Sequence, residues 1–139
     1  MPVLTRTLTV ETRGHDDMIN LTDQVGQVVA SGDIKEGIVT VFVPGSTASI
    51  TTIEYEPGLQ QDLPRALERL APSDASYEHD LKWGDGNGMS HVRAATMGPD
   101  IVVPFKEKSL LLGTWQQIVI VDFDVRPRRR EVIVQVLGF

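Results

Sequence analysis

Few side chains in this 139-residue sequence have the chemistry of a catalyst: there are three histidines and no cysteine. Two of the histidines, His79 and His91, fall in one stretch, YEHDLKWGDGNGMSH, residues 77–91. With them stand Glu78, Asp80, Asp85, Trp83 and the glycines Gly84, Gly86 and Gly88. Neutral imidazole is the commonest metal ligand and the usual acid or base near pH 7. Twelve positions apart is no standard ligand spacing, so proximity must come from the glycines, which let the chain fold back. Asp85 and Asn87 are placed to orient the imidazoles, and Asp85 to ligate directly. Two readings stay open on these residues: a solvated loop that happens to carry two histidines, or the rim of a site.

Three other segments carry polar chemistry. In VPGSTAS a strand runs into Gly45, Ser46 and Thr47, offering backbone N–H groups and two hydroxyls to an anion. A turn whose hydroxyls bond their own backbone is the plainer alternative. Glu54 follows in SITTIEYEPG, where a carboxylate at a strand end faces either a pocket or solvent. The run RPRRR gathers Arg126, Arg128, Arg129 and Arg130, guanidinium forks suited to phosphate or to a solvated hairpin tip. His15, in RGHDD, reads as a surface loop residue, and Trp83 and Trp115 read as packing residues. GDGNG resembles a nucleotide-binding glycine loop only loosely, because no strand–turn–helix surrounds it.

The elements that must position these groups follow from periodicity. Alternation of Leu4, Leu8 and Val10 with threonines predicts a half-buried first strand. Leu21, Val25, Val28 and Val29 follow helical spacing, with Asn20 or Thr22 to start the helix and Gly32 to end it. Residues 38–43 predict a central strand and 48–55 a second. Leu63, Ala66, Leu67 and Leu70 form the stripe of a second helix; Pro64 belongs in a first turn, so a short turn is expected before it. Strands are expected over 101–105, 109–112, 118–123 and 132–137, the last two joined as a hairpin by the basic turn. Two principal helices and late-running strands predict one α+β domain, residues 1–139, with a mainly antiparallel sheet.

Composition excludes several function classes. A net charge of −6 argues against general nucleic-acid binding, which needs a basic footprint. Without cysteine, any metal site must use N and O ligands. No apolar run reaches the roughly 18 residues of a membrane span, and the first residues lack the pattern of a signal peptide. A soluble cytoplasmic protein is expected.

The pieces STASITTIEYEPG, YEHD…WGDGNGMSH, GPDIVVPF and LLLGTWQQIVIVDFDVRPRRREVIVQVLG, in this order, resemble the YjbQ (UPF0047) family over nearly the whole chain. The resemblance implies an antiparallel β-sandwich, a homotrimer with sites near subunit interfaces, and the activity of a secondary thiamine-phosphate synthase. That reaction joins an aminopyrimidine diphosphate to a thiazole phosphate and releases pyrophosphate. His79 and His91 match the family's two histidines of Y-x-H…NG-x-x-H, which implies a divalent metal, zinc or magnesium. Ser46, Thr47 and Ala48 match its H-T-T-A segment, and Glu54 the acid that follows. The histidine of that segment is absent, with Gly45 or Ser46 in its place, so a three-histidine site cannot form within these motifs.

Two functions are therefore expected to compete. One is an enzyme whose pocket, lined by His79, His91, Glu54, Ser46 and Thr47, acts on a small phosphorylated metabolite, with a histidine as acid and Lys82, Arg93 or Arg128 as fixed positive charge. The other is a non-catalytic trimer that binds a metal or a phosphorylated metabolite.

Overall fold

The computed structural model describes all 139 residues. Two antiparallel sheets face each other. The first has five strands in the order β1 (Val3–Thr12), β8 (Arg128–Gly138), β3 (Glu36–Phe42), β5 (Asp100–Lys106) and β6 (Ser109–Leu110). The second has three, with β7 (Gln117–Asp122) between β2 (Asp17–Asn20) and β4 (Ala48–Ile53). Four helices complete the chain: α1 (Thr22–Ser31), α2 (Pro57–Leu70), α3 (Glu78–Trp83) and α4 (Gly88–Met97). The architecture is the expected α+β sandwich, and no helix is long and apolar enough to cross a membrane.

Alternation along β7 explains the layering. Ile118 and Ile120 point into the main core with Val39, Val41, Val132, Val134 and Val136 of the opposite sheet and Val25, Val28 and Val29 of α1. Val119 and Val121 point the other way, joining Met18, Leu67, Ala94 and Phe123 under α2 and α4. Because side chains on a strand alternate faces, one fully apolar strand serves both layers. Arg93 locks the outer layer: its guanidinium bonds Asp16, Glu68 and the Ala71 carbonyl while only 4% exposed. It is a structural tie between α4 and α2, not the free positive charge that the sequence suggested.

Several expectations are corrected. The segment 77–91 is not a glycine-hinged loop but two helices, α3 and α4, separated by a four-residue turn in which Gly84 and Gly86 take positive φ. The second helix begins earlier than Pro64, which lies inside α2; the helix is capped instead by Glu56, whose carboxylate accepts from the Gly58 and Leu59 amides. Of the predicted stripe only Leu67 is buried, so α2 clings to the protein by a narrow edge, where one missing backbone donor is tolerated. The strand expected over 109–112 shrinks to Ser109–Leu110. Most consequential, β7 and β8 do not pair as a hairpin: the chain crosses from the small sheet to the large one between them. Strand β8 starts at Arg128, so Arg128, Arg129 and Arg130 lie on a strand and only Arg126 stays in the connection.

Candidate functional site

Where the chain crosses between sheets, the end of β7 and the start of β8 run D-x-D and R-x-R. Period two sends Asp122 and Asp124 to one side and Arg128 and Arg130 to meet them, while Arg129 points to solvent. Arg130, nearly buried, holds Asp122 through Nε–Oδ2 at 2.7 Å and Nη2–Oδ1 at 2.9 Å. Arg128 holds Asp124 through Nε at 2.8 Å and Nη2 at 2.6 Å. Thr47 stitches the pairs together, accepting from Arg130 Nη2 at 2.7 Å and donating to Asp124 Oδ2 at 3.1 Å.

Both carboxylates are saturated. Burial pushes Asp124 up, but hydrogen bonds from the Val125 amide, Arg128, Asn87 and Thr47 outweigh it and bring its pKa to about 2. Asp122 is likewise lowered: burial opposes ionisation, but Arg130, the Thr12 hydroxyl and the Asp124 amide more than compensate. The two acids therefore back the guanidiniums and leave the remaining N–H groups of Arg128 and Arg130 to a cleft of about 380 Å³.

The cleft's other wall comes from the helices. His79, in the first turn of α3, and His91, in the first turn of α4, place their ring centroids 4.3 Å apart at 52°. Asn87 lies between the helices and is almost fully buried. An ionised Asp124 only accepts, so Asn87 gives it Nδ2 at 3.3 Å and turns Oδ1 to His79 Nε2 at 3.0 Å. His79 Nε2 is thereby the protonated nitrogen, a tautomer assigned from this network. Asp85, half exposed, stands 3.5 Å from the same nitrogen. Burial lowers the pKa of His91 and the neighbouring His79 lowers it further, against the pull of Asp124, Asp85 and Asp80. In the free cleft His91 is a neutral base at pH 7.

The structure thus brings together His79, His91, Ser46, Thr47 and Arg128, all of them residues picked out in the sequence. Ser46 is exposed with a free hydroxyl, whereas that of Thr47 is committed to the ion network. Glu54 is not brought to this cleft. It follows the far end of β4, exposed, roughly 20 Å of extended chain from Thr47. Trp83 and Trp115 are not packing residues; they are 64% and 70% exposed, and Trp83 lines the cleft. Sequence reasoning missed Asp122, Asp124 and the inward turn of Arg130. Carrying the alternation of β8 back through Val132 would have found the arginine.

At Gly45 a side chain would be crowded. The glycine has φ +132°, and a Cβ built there would lie 3.1 Å from Arg130 Nη1. The guanidinium would have to give by a few tenths of an ångström to admit a side chain. As to a metal, two imidazoles stand together, yet no group of three His, Cys, Asp or Glu is arranged to share an ion. The donors nearest the pair are the imidazoles themselves and Asp85, 3.5 Å from His79 Nε2.

A family model described as UPF0047 protein YjbQ-like matches residues 6–139. The chain belongs to the YjbQ-like UPF0047 family. Relatives within UPF0047 include a protein of Archaeoglobus fulgidus, 39% identical over 94% of this chain and 98% of the relative. Another is YugU of Bacillus subtilis, 31% identical over 96% and 98%. Among solved structures, a YbjQ-like protein of unknown function from Sulfolobus solfataricus superposes with a TM-score of 0.94 at 34% identity, covering 99% of both chains. A hypothetical protein from Aeropyrum pernix gives 0.90 at 29% identity, covering 98% of this chain and 99% of that one. The UPF0047 sandwich is therefore shared over the whole chain, cleft-bearing segments included.

Proposed function

We propose that the cleft binds a small phosphorylated molecule. The observation that carries this reading is the facing of two imidazoles, 4.3 Å apart, toward two guanidiniums whose carboxylate partners are already saturated. A bound phosphate would accept from Arg128, Arg130 and Ser46 and would raise the pKa of His91, reversing the shift of the free cleft. His91 then becomes the proton donor that a departing diphosphate requires.

The specific activity we propose is that of a secondary thiamine-phosphate synthase. The thiazole nitrogen lone pair forms the new C–N bond to the pyrimidine methylene as the C–O bond breaks, and diphosphate leaves with its electron pair. Arg128 and Arg130 would neutralise that charge. Formation of thiamine phosphate from the two precursors, lost in His91→Ala, is the expected result. No product with or without Mg²⁺ or Zn²⁺, but calorimetric binding of a precursor, would favour the alternative of a non-catalytic phosphometabolite binder.

A divalent metal is the second reading, favoured by the histidine pair with Asp85 beside it. Elemental analysis of tag-free protein discriminates: stoichiometric zinc lost in both His79→Ala and His91→Ala would replace the anion. We further propose a homotrimer with a cytoplasmic location. The outer face of the five-stranded sheet supports the assembly, because it exposes Val3, Ile38, Phe42 and Val102. Phe42→Arg should then yield a monomer in sedimentation.

A further inference from the structure

The cleft has a single apolar lining residue. Nine of its ten lining residues are glycine, hydroxyl, amide, imidazole, carboxylate or guanidinium; the tenth is Trp83. An indole left 64% exposed gives up much of the free energy that burial would supply. Nothing in the packing of α3 demands it, for this six-residue helix buries none of its side chains.

The helix is nevertheless held in place. Asp80 accepts from the Gly88 amide at 2.9 Å, His79 meets Asn87 at 3.0 Å, and Gly84 in the left-handed conformation ends the helix directly after Trp83. Tyr77, at the helix start, packs so closely on Gly88 that a Cβ there would lie 2.4 Å from its own. The indole is thus an exposed flat surface on an anchored support, at the edge of a cleft that is also lined by Arg128, Arg130 and Asp85. Lys82 Nζ lies over the ring, 5.2 Å from its centroid, a cation–π contact made by the helix's own neighbouring residue.

We propose that Trp83 is a stacking platform, and that the ligand of this cleft carries a planar ring as well as a phosphate. The inference rests on the phosphate reading given above and assigns the ring of such a ligand to Trp83. Aromatic stacking of this kind is sequence- and substituent-tolerant, because every flat ring has a π-face. The guanidiniums fix the phosphate end; Trp83 selects what is attached to it.

Calorimetry with phenyl phosphate and glycerol phosphate tests this, the two probes sharing the phosphate ester and differing in the ring. Wild type should bind phenyl phosphate more tightly by about tenfold or more. Trp83→Ala should bring phenyl phosphate binding down to the level of glycerol phosphate in the same variant, and Trp83→Phe should restore part of the preference. Equal binding of both probes, or a preference that survives Trp83→Ala, overturns the stacking role while the phosphate site stands. Failure of wild type to bind either probe overturns both. A change in sedimentation of Trp83→Ala would make the indole a subunit contact and also overturn the proposal.

Discussion

Arg130 grips Asp122 with two prongs, at 2.7 and 2.9 Å, where both side chains are withdrawn from solvent. The pair joins the last strand of the large sheet to the central strand of the small one, so the cleft and the sandwich share a fastening. Replacing Arg130 alone leaves a buried carboxylate without its countercharge. Arg130→Met should therefore cost roughly 3–5 kcal/mol in urea denaturation, as removal of one member of a buried pair does. The double variant Arg130→Met, Asp122→Leu should recover most of it. A loss under about 1 kcal/mol in the single variant would show that water reaches the pair freely.

Asp124 makes stability depend on pH in a defined direction. Its pKa is lowered from 3.8 to about 2, so its folded form binds protons less readily than the unfolded chain. The stabilisation is complete above the unfolded pKa and is lost as pH falls through the folded one. The window runs from about pH 5 down to about pH 2 and carries about 2 kcal/mol. Asp124→Asn should lower stability at pH 7, and the gap to wild type should narrow as denaturation is repeated toward pH 3. A constant gap would mean that Asn87, Thr47 and Arg128 respond to the shape of the side chain and not its charge.

Much of this organisation was legible in the sequence. The apolar runs of β3 and β7 and the alternation of β8 announced strands, because each has at least one buried face and the pleat sets which residues share it. The helices α3 and α4 were hidden: α3 buries nothing, and glycines around Asn87 mark a tight turn as readily as a loop. His79 and His91 were recognisable by type, but their 4.3 Å approach depends on Asn87 bridging to Asp124, a contact spanning 37 residues. The separation of Glu54 from this cleft was not legible, because a carboxylate after a strand does not reveal which end of the sandwich the strand leaves. The arginines misled for another reason: charged residues look like a turn unless the period of the following strand is carried back through them.

The histidine pair should report on its ligand. His91 is depressed by burial first and by His79 second, so His79→Ala should move its pKa upward. Phosphate should do the same in wild type, since an anion favours the imidazolium. Imidazole proton resonances followed from pH 5 to pH 8 measure both shifts. Phosphate that leaves the His91 titration unmoved would place any bound anion outside the histidine wall of the cleft, at the Arg128 side alone.

A histidine introduced at Gly45 is the sharpest probe of whether this cleft can hold a metal. The backbone there has φ +132°, and any Cβ meets Arg130 Nη1 at 3.1 Å. Gly45→His must therefore strain the chain or displace the guanidinium that closes on Asp122. A loss of about 1–3 kcal/mol in denaturation is expected from the backbone alone, together with weaker phosphate binding as Arg130 moves. Metal content should not rise, because the new imidazole would share its space with a fixed positive charge. If the variant instead gains one zinc per chain, and His79→Ala removes it again, the cleft is a metal site one ligand short. The arginine wall would then be secondary, and the ligand of the natural protein should be sought among metal-binding molecules.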